Sequence, residues 1–137
     1  MSAMKQGMED RAAGDALVLI DDATVQELAR DVGMHRLVDV LGAFAAELAR
    51  RTPIVQSALE ARDLQVLGRE SHSIKGSAMT FGAPALAAAA SRANEAFRDA
   101  DPVAVLAAAR EILEQLPVTC AAVRQLIEAT QAKGESR

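Results

Sequence analysis

Glu70-Ser71-His72-Ser73-Ile74-Lys75-Gly76-Ser77-Ala78-Met79-Thr80-Phe81-Gly82 reads as a helix with one buried stripe and one polar face. Leu64, Leu67, Ser71, Ile74, Ala78 and Phe81 recur at alternating spacings of three and four, the repeat of a helix that packs against a core. At about 100° per residue His72 lies roughly 130° from the centre of that stripe, so its imidazole is expected to face solvent. Gly68 stands one turn before the histidine and Gly76 one turn after it. A glycine inside a helix costs roughly 1 kcal/mol relative to alanine, so two of them beside one histidine call for a reason. The expected reason is access: the glycines strip side chains from either side of the ring, and another macromolecule can bring a reacting group up to it. Lys75, three residues on, reaches the same surface and supplies a cation for an anionic group on or near the imidazole.

Working outward, Asp63 can cap this helix and Gly82 suits the left-handed turn that ends it. Pro84 fits the first turn of the next helix, which runs to about Arg98 with Ser91, Asn94 and Arg98 on one face. Asp101-Pro102 repeats the cap-and-proline signal. The last helix is expected to bury Leu106, Ala109, Leu113, Leu116, Cys120, Val123 and Ile127, with a kink at Pro117 and a polar tail from Lys133. Upstream, a long helix from Met34 carries Leu37, Leu41, Phe44 and Leu48, and the register resumes at Val55 and Leu59, so Pro53 is expected to kink one helix, the alternative being two helices with Thr52-Pro53 as the cap and first turn of the second. Before that, a short helix over about Thr24 to Asp31, capped by Asp22 and ended by Gly33, turns Val25 and Leu28 inward as a lid. The expected organisation is a flexible leader over residues 1–15, a single domain over 16–131 and a frayed tail over 132–137. Its fold class is all-α: an antiparallel four-helix bundle with a short extra N-terminal helix.

Composition agrees. The 137 residues are 50% hydrophobic, yet three phenylalanines are the only aromatics, and alanine runs such as Ala87 to Ala90 favour close-packed helices over sheet. A net charge of −4 without any basic run argues against nucleic acid as a partner. The apolar run Ala16 to Ile20 stops at Asp21-Asp22, too short for a signal-peptide core or a membrane span. No membrane association and a cytoplasmic location are therefore expected. Cys120 has no second cysteine to pair with and reads as a small core residue. His35 opens its helix without a lysine or glycine gap beside it and reads as a surface histidine.

His72-Ser73-Ile74-Lys75-Gly76-Ser77, followed by Gly82 and Leu86, resembles the His-x-x-Lys-Gly signature of histidine-containing phosphotransfer (HPt) domains, the four-helix modules of two-component phosphorelays. The likeness extends from about Val18 to Ile127. It implies that His72 is the phosphoacceptor, that Lys75 stabilises the phosphoryl group, and that Gly76 leaves room for a receiver domain. Family members often place a glutamine near the imidazole from the next helix; Asn94 holds the matching position with a shorter amide. The implied partners are response-regulator receiver domains and a hybrid histidine kinase, met by a monomer. The protein is then a phosphoryl carrier rather than an enzyme, with no ATP-binding motif and no cofactor of its own. An alternative is a scaffold or inhibitor that binds a receiver or kinase without carrying phosphate. A metal site is disfavoured, because Glu70 is two residues from His72 and so on another side of the helix, and Lys75 would repel a cation.

Overall fold

Asp21 starts the first helix: its Oδ2 accepts hydrogen bonds from the Thr24 backbone N–H at 3.2 Å and the Thr24 hydroxyl at 2.6 Å. The structure, a computed structural model, describes residues 18–135, so the expected leader over 1–15 and the last two residues lie outside the described region. Helix α1 spans Asp22–Val32. The cap is thus Asp21 and not Asp22, which sits instead in the first turn, where its negative charge faces the unsatisfied N–H groups. Gly33, at φ 85°, ends α1, and α2 begins on the next residue.

Helix α2 (Met34–Ala61) runs unbroken through Pro53, as the continuous apolar register requires, and Thr52 donates its hydroxyl to the Leu48 carbonyl at 2.8 Å in the adjoining turn. Helix α3 (Leu64–Thr80) is capped by Asp63, whose side chain accepts from the Val66 N–H at 3.2 Å. Gly82 then takes φ 71° and redirects the chain. Helix α4 (Pro84–Arg98) has its proline in the first turn. Helix α5 (Pro102–Glu135) is capped by Asp101, which accepts from the Ala104 N–H at 3.2 Å. It passes through Pro117 and stays helical to Glu135, beyond the point at which the sequence suggested a frayed tail.

Helices α2 to α5 form an antiparallel four-helix bundle in which α3, α5 and α2, α4 are the diagonal pairs: α2 packs on α3, α3 on α4, α4 on α5, and α5 back on α2. Leu41, Phe44, Leu48, Leu67, Ile74, Leu86, Ile112 and Leu116 fill its centre. Fully burying a side chain of this kind contributes about 1.5–3 kcal/mol. Phe44 of α2 and Phe81 at the end of α3 stack with ring centroids 4.5 Å apart. The core stripe of α5 is wider than its three-four spacing suggested. Val105, Ala108, Ala109, Ile112, Leu116, Cys120 and Val123 are buried, whereas Leu106, Leu113 and Ile127 only border the core. The physical reason is that α5 packs against both α2 and α4, so a broad arc is covered.

Helix α1 packs on α2 and closes the end of the bundle where α3 turns into α4. The Asp21 N–H donates to the Gly82 carbonyl at 2.6 Å and the Ala85 N–H to the Val18 carbonyl at 3.3 Å. Among the described residues no helix is long and apolar enough to cross a membrane.

Candidate functional site

The rotation of α3 about its axis fixes the site. Ser71, Ile74 and Ala78 are buried, and the Ser71 hydroxyl, with no solvent to bond, donates to the Leu67 carbonyl of its own helix at 2.6 Å. His72, one residue on from Ser71, is therefore carried to the exposed face. Two shallow depressions adjoin its ring in the groove between α3 and α4. One is lined by Gly68, Arg69, Asn94, Phe97 and Arg98 together with His72. The other is lined by Lys75, Gly76, Met79, Asn94 and Arg98, again with His72. The structure thus brings His72, Lys75, Gly68, Gly76 and Asn94 to one surface.

The two glycines differ in kind. Gly76 is exposed, and a Cβ added there would meet nothing within 4 Å, so the surface beside His72 is open on that side. Gly68 is buried: a Cβ would stand 2.8–2.9 Å from the Phe97 ring of α4. The expectation that Gly68 is an access gap is corrected accordingly. It is a packing glycine, and its missing side chain lets α4 approach α3 and bring Asn94 and Arg98 alongside the histidine.

The opposite flank of α3 is held to α2 by an ionic network. Arg51 donates to Glu47 at 3.0 Å and to Glu70 at 2.8 Å, and the Ser77 hydroxyl donates to Glu47 at 2.9 Å. Glu70 is spent on this contact, turned away from His72. One of its oxygens, Oε1, is buried without a hydrogen-bond partner. Among the described residues no group of three or more His, Cys, Asp or Glu side chains converges as a metal site would need. His35 lies at the bundle end with Met34, Thr130 and Gln131, away from the α3–α4 groove. Cys120 is buried, with its thiol 3.6 Å from the Ala45 carbonyl.

An exposed imidazole can attack an electrophile through a ring nitrogen, and a lysine beside it can offset the charge of a transferred anion. Sequence reasoning did not single out Arg69 or Arg98 for this site. The signals were present: Arg69 precedes His72 by the same three residues by which Lys75 follows it, and Arg98 follows Asn94 by one turn. The resemblance placed Asn94 of α4 near His72, but no single-helix pattern shows how closely α4 approaches, which depends on Phe97 lying over Gly68.

Residues 39–133 match the family model of the Hpt domain. The chain also resembles the crystal structure of histidine-containing phosphotransfer protein B (HptB) from Pseudomonas aeruginosa PAO1, with a TM-score of 0.72 and 22% sequence identity over 80% of this chain and 95% of that one. At that identity the likeness concerns the fold. No curated protein matches the chain in sequence.

Proposed function

The chain belongs to the Hpt domain family, the histidine phosphotransfer modules of phosphorelays, and we propose that it accepts a phosphoryl group on His72 from the phospho-aspartate of one receiver domain and passes it to another. The observation that carries this reading is the exposed His72 beside the open surface at Gly76. The imidazole Nε2 attacks phosphorus in line, a P–N bond forms, and the acyl P–O bond breaks with its electron pair leaving on the receiver's carboxylate. The reverse step delivers the group onward. Little covalent work falls to the carrier beyond positioning and charge neutralisation.

Each neighbour then has a role. Lys75 offsets the charge of the phosphoryl oxygens, Gly76 admits the receiver, and Asn94 orients the ring from α4. Gly68 acts at one remove, by letting α4 come close. A hybrid histidine kinase and a separate response regulator supply the two receivers, and the carrier works as a cytoplasmic monomer without a cofactor of its own.

Incubation with a phosphorylated receiver tests this. Acid-labile, alkali-stable phosphate is expected on the wild type and none on His72→Gln. Label on His35 in the His72→Gln protein would overturn the assignment. If the wild type binds the receiver yet takes no label, the scaffold reading replaces it.

A further inference from the structure

His72 is ringed by cations on a protein that is acidic overall. Arg69 and Lys75 flank it at three residues before and after on α3, and Arg98 lines both adjoining depressions from α4, whereas the net charge of the chain is −4. Neither depression is lined by an aspartate or a glutamate, although α4 also carries Glu95 and its end is followed by Asp99. Among the described residues the ion pairs join Arg51 to Glu47 and Glu70 and Arg92 to Glu111, while other surface arginines such as Arg36, Arg62 and Arg110 stand unpaired and scattered. What sets Arg69, Lys75 and Arg98 apart is that they gather around one histidine. Arg69, Lys75 and Arg98 take part in none of these ion pairs.

An isolated cation on a helix surface is ordinarily just a solvated side chain. Three around one nucleophile, with carboxylates kept out of the same groove, make a local reversal of sign in the protein's field. Such a reversal attracts an anionic partner and repels others, and it acts on the rate of encounter more than on the strength of the final complex. Nucleic acid is poorly served, since no aromatic side chain beside His72 is free for base stacking: Phe97 is occupied against Gly68.

We propose that Arg69, Lys75 and Arg98 form a cationic collar that steers a partner whose docking face is rimmed with carboxylates onto His72. This rests on the phosphotransfer reading, and it adds what kind of receiver surface the site selects. Lys75 has the further task at the phosphoryl group, so Arg69 and Arg98 are the members that report on steering alone.

The test compares two phosphoryl donors, a phosphorylated receiver and the small molecule phosphoramidate, on the wild type and on Arg69→Gln/Arg98→Gln. The double variant is expected to lose about tenfold in the second-order rate with the receiver at low salt. The gap should shrink to less than about twofold near 1 M salt, where the screening length falls to about 3 Å. Its loss with phosphoramidate should be several-fold smaller than its loss with the receiver at low salt. An equal loss with both donors, a loss independent of salt, or no loss with the receiver overturns the collar. If neither donor labels His72 in the wild type, the phosphotransfer reading itself falls and the collar with it; if phosphoramidate labels it normally, that reading stands and only the steering is at stake.

Discussion

The Phe97 ring lies so close over Gly68 that a Cβ on the glycine would stand 2.8 Å from Cδ2 and 2.9 Å from Cγ. Because Cγ is the root of the ring, swinging the aromatic tip aside does not relieve the clash. Gly68→Ala therefore sets an overpacking cost of about 1–3 kcal/mol against a helix-propensity gain of about 1 kcal/mol. Net destabilisation is expected in urea unfolding, and Phe97→Leu in the same chain should recover much of it. A Gly68→Ala protein as stable as the wild type would show that α4 has room to move.

Gly76 should behave in the opposite way. With nothing within 4 Å of an added Cβ, Gly76→Ala is expected to stabilise the fold by up to about 1 kcal/mol. Gly76→Gln should melt at or above the wild-type temperature while losing most transfer from a receiver, because the longer side chain fills the open surface beside His72. Unfolding of the Gln variant, read by circular dichroism, would contradict the access role.

Lys75→Ala should separate chemistry from stability. A half-buried lysine with no ion-pair partner among the described salt bridges contributes little to the fold, so a change within about 0.5 kcal/mol is expected. Loss of a charge aimed at the transferred group should slow transfer by roughly ten- to a hundredfold. Single-turnover kinetics would check both the rate and the lifetime of the phosphorylated form; wild-type values would remove Lys75 from the mechanism.

The α2–α3 network makes a contrasting stability forecast. The side chains of Arg51 and Glu70 are 19% and 12% exposed, against 55% and 46% for Arg92 and Glu111. Arg51→Ala strands two partly buried carboxylates and should cost about 1–3 kcal/mol, with Arg51→Lys restoring only part because one ammonium cannot span both partners as the guanidinium fork does. Arg92→Ala should change the unfolding free energy by no more than about 1 kcal/mol, as exposed pairs do. Equal effects from the two substitutions would show that burial is not what distinguishes them.

Much of the bundle was legible because its signals are local. Asp63 and Asp101 cap where they were expected to, Gly82 adopts its positive φ, and α2 continues through Pro53 because the apolar register does. His72 could be placed outward from the burial of Ser71 and Ile74 on either side of it. Two of the misreadings share a cause, since each concerns what a second helix does. Gly68 looks like Gly76 in the sequence, and only Phe97 distinguishes them. The arc buried on α5 depends on its having two packed neighbours, which no single-helix periodicity contains. The choice of Asp21 over Asp22 as a cap is a shift of one residue, set by which carboxylate meets the Thr24 N–H.

The buried face of α4 is built almost wholly of methyl groups: Ala85, Ala89, Ala90, Ala93 and Ala96, with Leu86 the one larger side chain among them. Such a face works as a gauge block. The separation between the helix that bears His72 and the helix that bears Asn94 and Arg98 is set nearly by backbone against backbone, with few rotamers to blur it. Widening it by a single residue, as in Ala93→Val, should shift the two halves of the site apart before it unfolds the bundle, so that a graded series of side-chain volumes at these positions becomes a ruler for how far the groove can open before transfer fails.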